Sequence, residues 1–189
     1  MQLHPHFLFN TLNTIYNLIP VRAREAQATI TRLSNLLRFS LDHVATETVT
    51  LQDELDFLME YVQIEKTRFE ERLRVEKDVP TDTLQAEVPN MILQPLVENS
   101  IRHGVGKKAA GGTIRISSRR ENGRLLIMVT DDGLPPSISQ HGNTGIGLAN
   151  TRARLAKLYG EDFIFDLEPF GQGTRVQLSI PFKARTHTT

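Results

Sequence analysis

Residues Leu96–Gly104 read LVENSIRHG, a short apolar run that passes into polar side chains before a glycine. On a helix, Asn99 and His103 are four residues apart and share a face, with Arg102 beside them. A neutral oxygen, a cation and an aromatic ring on one face can hold Mg²⁺, a phosphate and a base. The same residues also describe an ordinary helix that ends at Gly104, with cationic side chains near its C-terminus. The motif alone leaves both interpretations open.

The chain around this stretch combines short strands with helices. Helical runs cover Met91–His103 and Ile146–Tyr159, and all 12 glycines fall in this half, beginning at Gly104. The β-type runs are Leu73–Lys77, Thr113–Arg119, Leu125–Thr130, Phe163–Leu167 and Thr174–Ile180. Because strands and helices do not alternate strictly, the pattern predicts an α+β sandwich, a mixed sheet covered by helices on one face.

The first 72 residues predict helix almost throughout, because they contain no glycine and, after Pro5, only Pro20. Three segments repeat apolar residues at helical spacing. The stripes are Leu8, Leu12, Ile15 and Ile19; then Ile30, Leu33, Leu37, Leu41 and Val44; then Leu51, Leu55, Leu58 and Val62. Such helices need each other or a second copy of the chain to bury their apolar faces.

Pro20 and the stretch Thr46–Thr50 are the expected breaks between these helices, and Thr50 with Asp53 is the expected capping pair for the third. The change of pattern near Phe69–Leu73 divides the chain into a helical region at 1–72 and an α/β domain at 73–183. Residues 184–189 remain as a tail.

A histidine in the first helix lies among asparagines. At about 100° per residue, Asn10, Asn13 and Asn17 fall within about 40° of His6, opposite the leucine stripe. Asparagine is a poor helix former, so this row is unusual for a solvated face. It indicates either chance clustering at a polar helix start or an exposed imidazole oriented by amides. His4, before Pro5, lies outside the row and is interpreted as a helix-entry residue.

Three glycine-bearing turns follow in the second half. Asp131-Asp132-Gly133 comes after an apolar strand, GNTGIG at 142–147 precedes a helix, and GQGT at 171–174 precedes the last strand. A glycine-rich turn that leads into a helix offers backbone N–H groups to phosphates. The turns match neither a P-loop nor a dinucleotide fingerprint. Each alone would be interpreted as a hairpin or a helix cap.

Composition excludes several classes of protein. The 189 residues include 22 basic and 22 acidic side chains, so we predict no direct binding to nucleic acid. Without cysteine the chain can form no disulfide and no thiolate metal site. No apolar run approaches the ~20 residues of a membrane span, and the start MQLHPHFLFN is no secretory signal. A cytoplasmic location is therefore expected.

Taken in order, these motifs resemble one family over most of the chain, from Gln2 to about Pro181. QLHPHFLFNTLNTI at 2–15 resembles the phosphoacceptor box of LytS-type sensor histidine kinases. The second half, with LVEN, an Asp-x-Gly turn and a GIGL turn, resembles the Bergerat-fold ATPase domain that accompanies that box. The resemblance implies ATP and Mg²⁺ as cofactors.

The resemblance also implies a role for each matching residue. His6 is the imidazole that is phosphorylated, and 1–72 forms the dimerisation and phosphotransfer helices. The implied nucleotide-binding residues are Asn99 as Mg²⁺ ligand, Arg102 and His103 near the phosphates, Asp131 at the adenine amino group, Gly133 beneath the base, Gly145 and Gly147 on the phosphate side, and Thr174 near the adenine.

Two further catalytic candidates follow from chemistry. Histidine is a nucleophile when neutral, and with a pKa of ~6.5 it is mostly neutral at pH 7. It needs a fixed ring, and many histidine kinases place an acidic residue directly after it for that purpose. Here Phe7 follows His6, so we take Asn10, one turn on, as the orienting residue. Glu98, beside the nucleotide motif, is the candidate general base or water-ordering group.

One departure from the family concerns the adenine-side turn, which usually reads Asp-x-Gly-x-Gly. Here Leu134-Pro135 follows Gly133, and proline fixes φ and lacks an N–H. The loop of 134–144 is also short for a nucleotide lid. We therefore expect ATP to bind weakly, with a lid that is mobile or partly open in its absence.

The main prediction is a kinase core that phosphorylates His6 and passes the group to an aspartate of a response regulator receiver domain with LytTR-type output. It would act as a homodimer. The resemblance implies a missing upstream sensor domain, so the chain would be a cytoplasmic fragment of a membrane-anchored sensor. One alternative is a degraded module that dimerises and binds a regulator without turnover. Another is a hydrolysing ATPase, although Pro95 stands where those relatives carry a catalytic Glu.

Overall fold

The computed structural model describes residues 5–42, 46–134 and 146–185. Its helices are α1 (Pro5–Leu18), α2 (Ala23–Asp42), α3 (Leu51–Phe69), α4 (Leu93–Asn99) and α5 (Ile146–Tyr159). Its strands are β1 (Thr48–Thr50), β2 (Leu73–Asp78), β3 (Glu87–Pro89), β4 (Gly112–Glu121), β5 (Arg124–Asp131), β6 (Ile164–Phe170) and β7 (Gly173–Pro181).

Helix α3 lies at the centre of the helical region. Its start is the predicted capping box: Thr50 Oγ1 accepts from the Asp53 N–H at 3.1 Å, and the Asp53 carboxylate accepts from the Thr50 N–H. The predicted apolar stripe is buried, and so are residues on its other sides, such as Phe57 and Tyr61. The helix is enclosed because α1 and α2 pack on one side while α4 and β2 pack on the other.

The prediction for the buried face of α1 was wrong in part. Phe7, Thr11 and Ile15 face the core, and the Phe7 ring packs on Tyr61 of α3 with centroids 4.8 Å apart. Leu12 and Ile19, which belong to the predicted stripe, are exposed. The chain carries apolar residues on two adjacent sides of this helix, and α3 covers only one of them.

In α2, as in α1, the buried side of the helix differs from the predicted apolar stripe. Ala26, Thr29, Leu33 and Leu36 are buried, whereas Ile30, Leu37 and Leu41 are exposed, and Val44 lies outside the described residues. Packing against α3 is direct, since Phe39 and Phe57 have ring centroids 4.7 Å apart. Two helices thus each carry apolar residues that the described part of the chain leaves exposed.

The main sheet has five strands in the order β2-β4-β5-β7-β6. β2 and β4 are parallel and the other neighbours are antiparallel, as a mixed sheet requires. One face is apolar and buried, with Ile116, Ile127 and Leu178 fully covered. The other face carries solvated ion pairs such as Arg115–Glu76 at 2.8 Å. The predicted α+β sandwich with helices on one face is confirmed.

Two elements differ from the prediction. β1 and β3 form a small antiparallel sheet that the sequence reading missed, because three-residue strands carry too little pattern. The expected helix Met91–His103 is divided into α4 and a π-helix at Ser100–Gly104, followed by a 3₁₀ turn at Val105–Lys107. Met91 has φ of +53°, so it cannot be part of the helix.

Residues near the C-terminal end stay paired beyond β7. Ala184 bridges Ala86, and the Arg185 N–H donates to the Gln85 carbonyl at 2.9 Å. Within the described ranges, none of the helices is both long enough and apolar enough to cross a bilayer.

Glu54 of α3 is a fully buried carboxylate that accepts hydrogen bonds from the backbone at the start of α4. Burial raises its pKa from 4.5 to about 7, although those hydrogen bonds and the charge of Arg154 act in the opposite direction. The folded state therefore holds this proton more tightly than the unfolded chain does. The stabilising contribution is full below pH 4.5 and is lost as the pH rises through about 7.

We accordingly expect the free energy of unfolding of the wild type, relative to Glu54→Gln, to fall by about 2 to 3 kcal/mol between pH 5 and pH 8. Gln does not titrate, so the variant supplies the baseline. Urea denaturation of both proteins at the two pH values measures the difference. A difference that does not change with pH would show that the pKa of Glu54 is not raised.

Candidate active site

Asp131, the last residue of β5, is a buried carboxylate at the edge of the sheet. Its Oδ1 accepts from the Gly133 N–H at 3.0 Å. Its Oδ2 is also buried and accepts no hydrogen bond from the residues that the structure describes. Burial and the charge of Asp132 raise the pKa of this carboxyl, while the Gly133 N–H, the nearby Ser100 hydroxyl and the Thr174 N–H lower it. An unused buried acceptor of this kind fits a ligand with an N–H donor.

Three glycines crowd around this carboxylate. A Cβ at Gly104 would lie 2.4 Å from Asp131 Oδ1, and a Cβ at Gly173 would lie 2.0 Å from the Asp131 carbonyl oxygen. A Cβ at Gly133 would lie 2.2 Å from the carbonyl carbon of Gly104. The close approach at Gly133 is therefore made by protein backbone, whereas the expectation placed a base there. Gly104 and Gly173 were missed as site residues, because each reads as an ordinary turn.

Thr174 lies directly opposite Asp131 in the β5–β7 register and is buried. The structure thus joins three of the predicted nucleotide residues: Asp131, Gly133 and Thr174. Gly147 lies in the first turn of α5, where a Cβ would lie at an ordinary 3.6 Å from Cβ of Pro95. Gly145 and Pro135 lie outside the described residues.

A second group of predicted residues lines a cavity of about 170 Å³ between α1, α3 and the end of α4. Asn10 reaches it from α1, and Glu98 and Arg102 reach it from α4 and the π-helix. These residues come from the two regions that the sequence pattern separates. The side chains of His6 and His103 lie outside the described part of the structure, but His6 directly precedes Phe7, which also lines the cavity.

Helix α3 supplies polar groups to this cavity that sequence reasoning missed. Burial raises the pKa of Glu65 and of Tyr61, and the charge of Glu98 raises both further. Arg68 Nη2 lies 2.7 Å from Glu65 Oε2 and partly balances that charge. The sequence does contain a signal for these groups, because Tyr61 and Glu65 are four residues apart and therefore share one face of α3.

The π-helix connects the two groups. Its first and last residues, Ser100 and Gly104, adjoin Asp131, while Ile101 and Arg102 line the cavity. Asn99 is the partly buried last residue of α4, directly before the π-helix. A π-turn inside a helical run is rare and is found mostly at functional sites. The π-helix therefore borders both the buried carboxylate of Asp131 and the polar cavity.

Comparisons with known proteins match this architecture. Residues 1–73 match the family described as histidine kinase, and residues 86–184 match the family of histidine kinase-, DNA gyrase B- and HSP90-like ATPases.

Curated relatives include the sensor histidine kinase BtsS of Escherichia coli K12, 36% identical over 185 residues, covering 96% of this chain and 32% of that protein. The sensor protein LytS of Oceanobacillus iheyensis is 33% identical over 195 residues, with 96% and 33% covered. The chain therefore spans about a third of the length of these relatives.

Solved structures share the fold. The histidine kinase domain of the blue-light activated kinase of Erythrobacter litoralis EL346 matches with a TM-score of 0.56 at 19% identity, covering 84% of this chain and 73% of that one. The catalytic domain of histidine kinase ThkA matches with a TM-score of 0.55 at 20% identity, covering 71% and 93%.

Proposed function

The chain belongs to the sensor histidine kinase family, and from that premise we propose that it is a kinase core that phosphorylates His6 from ATP and passes the group to an aspartate of a response regulator. The observation that carries the proposal is the buried Oδ2 of Asp131, which lies in a cradle of glycines and accepts no hydrogen bond from the described residues. Asp131 adjoins the π-helix, and the π-helix also lines the cavity that α1, the His6 helix, borders. Residues 1–72 would serve dimerisation and phosphotransfer, and 73–183 would bind the nucleotide.

The residues around Asp131 fit an adenine nucleotide. Its Oδ2 would accept from an exocyclic amino group, and Thr174, opposite Asp131 in the strand register, would lie near the adenine. Asn99 offers an amide oxygen for Mg²⁺, which in proteins is held by few protein ligands together with phosphates and water. Arg102, His103 and the glycines at 145 and 147 would neutralise and position the phosphates.

The remaining residues would prepare His6 as the nucleophile. The unprotonated imidazole nitrogen would form the new N–P bond as the γ-phosphorus bond to the bridging oxygen breaks, and ADP would leave with that electron pair. Asn10, on the cavity one turn from His6, would hold the ring. Glu98, which lines the same cavity, would take the displaced imidazole proton. Transfer of this kind depends chiefly on positioning and charge neutralisation.

Two other functions would give different results in the labelling experiment described below. A regulator-binding module with a degraded site would bind nucleotide or a partner without turnover. A hydrolysing ATPase would need a general base where Pro95 stands, and proline has no titratable group. The intact Asp131 cradle supports binding, and the Phe7–Tyr61 contact supports presentation of the His6 helix.

The test is incubation with Mg²⁺ and γ-labelled ATP, following acid-labile, base-stable label on the protein. We expect label on the wild type and on His4→Ala, and none on His6→Ala. Binding without label would favour the degraded module. Phosphate release that persists in His6→Ala would favour the ATPase.

Replacing Asn10 by alanine should lower the initial rate of His6 labelling by about 10-fold, because the imidazole loses an orienting amide. ATP affinity should stay unchanged, since Asn10 lies on α1. Asn13→Ala is the matched control, being exposed on the same helix. Labelling time courses at saturating ATP measure both. Equal rates for Asn10→Ala and wild type would remove the orienting role.

The exposed apolar surface of α1 and α2 indicates that one partner is a second copy of the chain. The exposed apolar residues of the first two helices and the turn between them include Phe9, Leu12, Tyr16, Ile19, Ile30, Leu37 and Leu41. Such a surface is large for a monomer, and a second copy of the chain would cover it as a helical bundle. The resulting homodimer would serve a response regulator with LytTR-type output, downstream of a membrane-anchored sensor domain.

A further inference from the structure

Glu54 joins the helical region to the nucleotide-binding domain through hydrogen bonds. Its carboxylate accepts from the backbone N–H of Met91, and its Oε2 accepts from those of Ile92 at 3.0 Å and Leu93 at 3.1 Å. The first N–H groups of a helix have no partner within it. A side chain of α3 therefore satisfies the start of α4, which makes no side-chain cap of its own at Ile92.

The same carboxylate is coupled to α5. Burial raises the pKa of Glu54 and lowers that of Arg154 in α5, and each of the two opposite charges offsets part of the other's shift. Helices α4 and α5 also meet directly, since the position that a Cβ would take at Gly147 lies 3.6 Å from Cβ of Pro95. One carboxylate thus holds the start of α4, and α4 in turn packs on α5.

Helix α4 ends at the proposed nucleotide site, and helix α5 begins there. Glu98 and Asn99 are the last two residues of α4, only five and six positions beyond Leu93. Helix α5 begins directly after the phosphate-side glycine at 145. A shift of the α4 start would therefore displace the Mg²⁺ ligand, because so short a helix moves as a rigid unit.

Stability alone does not explain a carboxylate at this place. Burial disfavours its charged form, as its raised pKa shows, and buried ionic groups are often no more stabilising than apolar ones. What a carboxylate adds is two acceptor oxygens that take all three backbone N–H groups in one fixed arrangement.

We propose that Glu54 is a positioning residue for the nucleotide site, which fixes the start of α4 through its N-terminal amides. This role rests on the proposed function, because it concerns binding of Mg²⁺·ATP. It assigns to the phosphotransfer region a residue on which the catalytic domain depends.

The test is calorimetric titration of Mg²⁺ with a non-hydrolysable ATP analogue at pH 8, where the carboxylate is mostly ionised. Gln at this position turns an amide N–H₂ toward a backbone N–H, so Glu54→Gln should raise Kd by about 10-fold, and Glu54→Ala should raise it further. Leu58→Ala, a fully buried residue one turn along α3, is the control for general destabilisation. It should lower Tm yet keep Kd within about twofold of the wild type.

Each outcome decides the point. Glu54 variants that bind the analogue as the wild type does, with only a lower Tm, would reduce the residue to a structural role. Equal weakening in Leu58→Ala would do the same. If Glu54→Ala does not fold, the Gln variant decides. A wild type that binds nucleotide but takes no label would contradict the kinase activity while leaving this comparison intact, whereas a wild type that binds none would remove both.

Discussion

An Asp131→Asn variant is expected to bind ATP about 100-fold more weakly than the wild type, with the fold retained. Hydrogen bonds to a charged acceptor contribute roughly 1.5 to 3 kcal/mol, and a mismatched buried group adds its desolvation cost. The Asn carbonyl can still accept from the Gly133 N–H, as Oδ1 does now. The amide N–H₂ then faces the adenine amino group, so that two donors oppose each other.

The same exchange predicts a change in base preference. A purine with an oxygen at the position of the adenine amino group presents an acceptor, which suits the side-chain amide that Asp131→Asn introduces. We therefore expect inosine triphosphate to lose less affinity than ATP, and the ratio of the two Kd values to move toward or past one. Calorimetric titration of both nucleotides measures this ratio.

Asp132→Asn provides the matched control. Asp132 is exposed and its Oδ1 accepts from the Thr113 N–H at 2.7 Å, so it belongs to the turn and not to the buried acceptor. ATP affinity should stay within about twofold of the wild type. Loss of binding in both variants would indicate that the turn as a whole, and not the Asp131 carboxylate, determines affinity.

Local rules predicted those parts of the molecule that depend on neighbours in sequence. The Thr50–Asp53 capping box needs only four residues, and it formed as expected. The strands that cross the sheet were found because apolar residues alternate along them within bounds set by turn residues, and their register places Thr174 opposite Asp131. The family resemblance added the order of the motifs, which no single turn could supply.

Contacts between residues far apart in the sequence determine the features that local rules did not predict. Helix α1 has two adjacent apolar sides, one with Phe7 and one with Leu12, and its own sequence does not show which of them is buried. The Phe7 side is buried because its ring packs on Tyr61 of α3. A glutamate within an amphipathic helix is usually solvated, yet Glu54 is fully buried against the start of α4. Gly104 and Gly173 become site residues only when the sheet brings them onto Asp131.

A Gly133→Ala variant is expected to lose about 3 kcal/mol of stability and nearly all affinity for ATP. Its added Cβ would lie 2.2 to 2.5 Å from three backbone atoms of Gly104 and Val105. Backbone cannot swing aside as a flexible side chain can, so one of the two segments must move, and overpacking of this kind costs typically about 1 to 3 kcal/mol or more. Movement of Gly133 withdraws the N–H that holds Asp131 Oδ1.

Gly123→Ala separates this steric effect from the general cost of replacing a glycine. Gly123 has φ of +74°, and no atom of the described residues lies within 4 Å of the position that a Cβ would take. Its replacement therefore strains the backbone conformation without a collision. It should cost about 1 kcal/mol and leave ATP binding unchanged. Thermal unfolding and nucleotide titration of the two variants test the distinction. If Gly133→Ala bound ATP like Gly123→Ala, the contact between Gly104 and Gly133 would not be what holds the Asp131 carboxylate in place, and the buried acceptor would owe its position to the β5–β7 pairing alone.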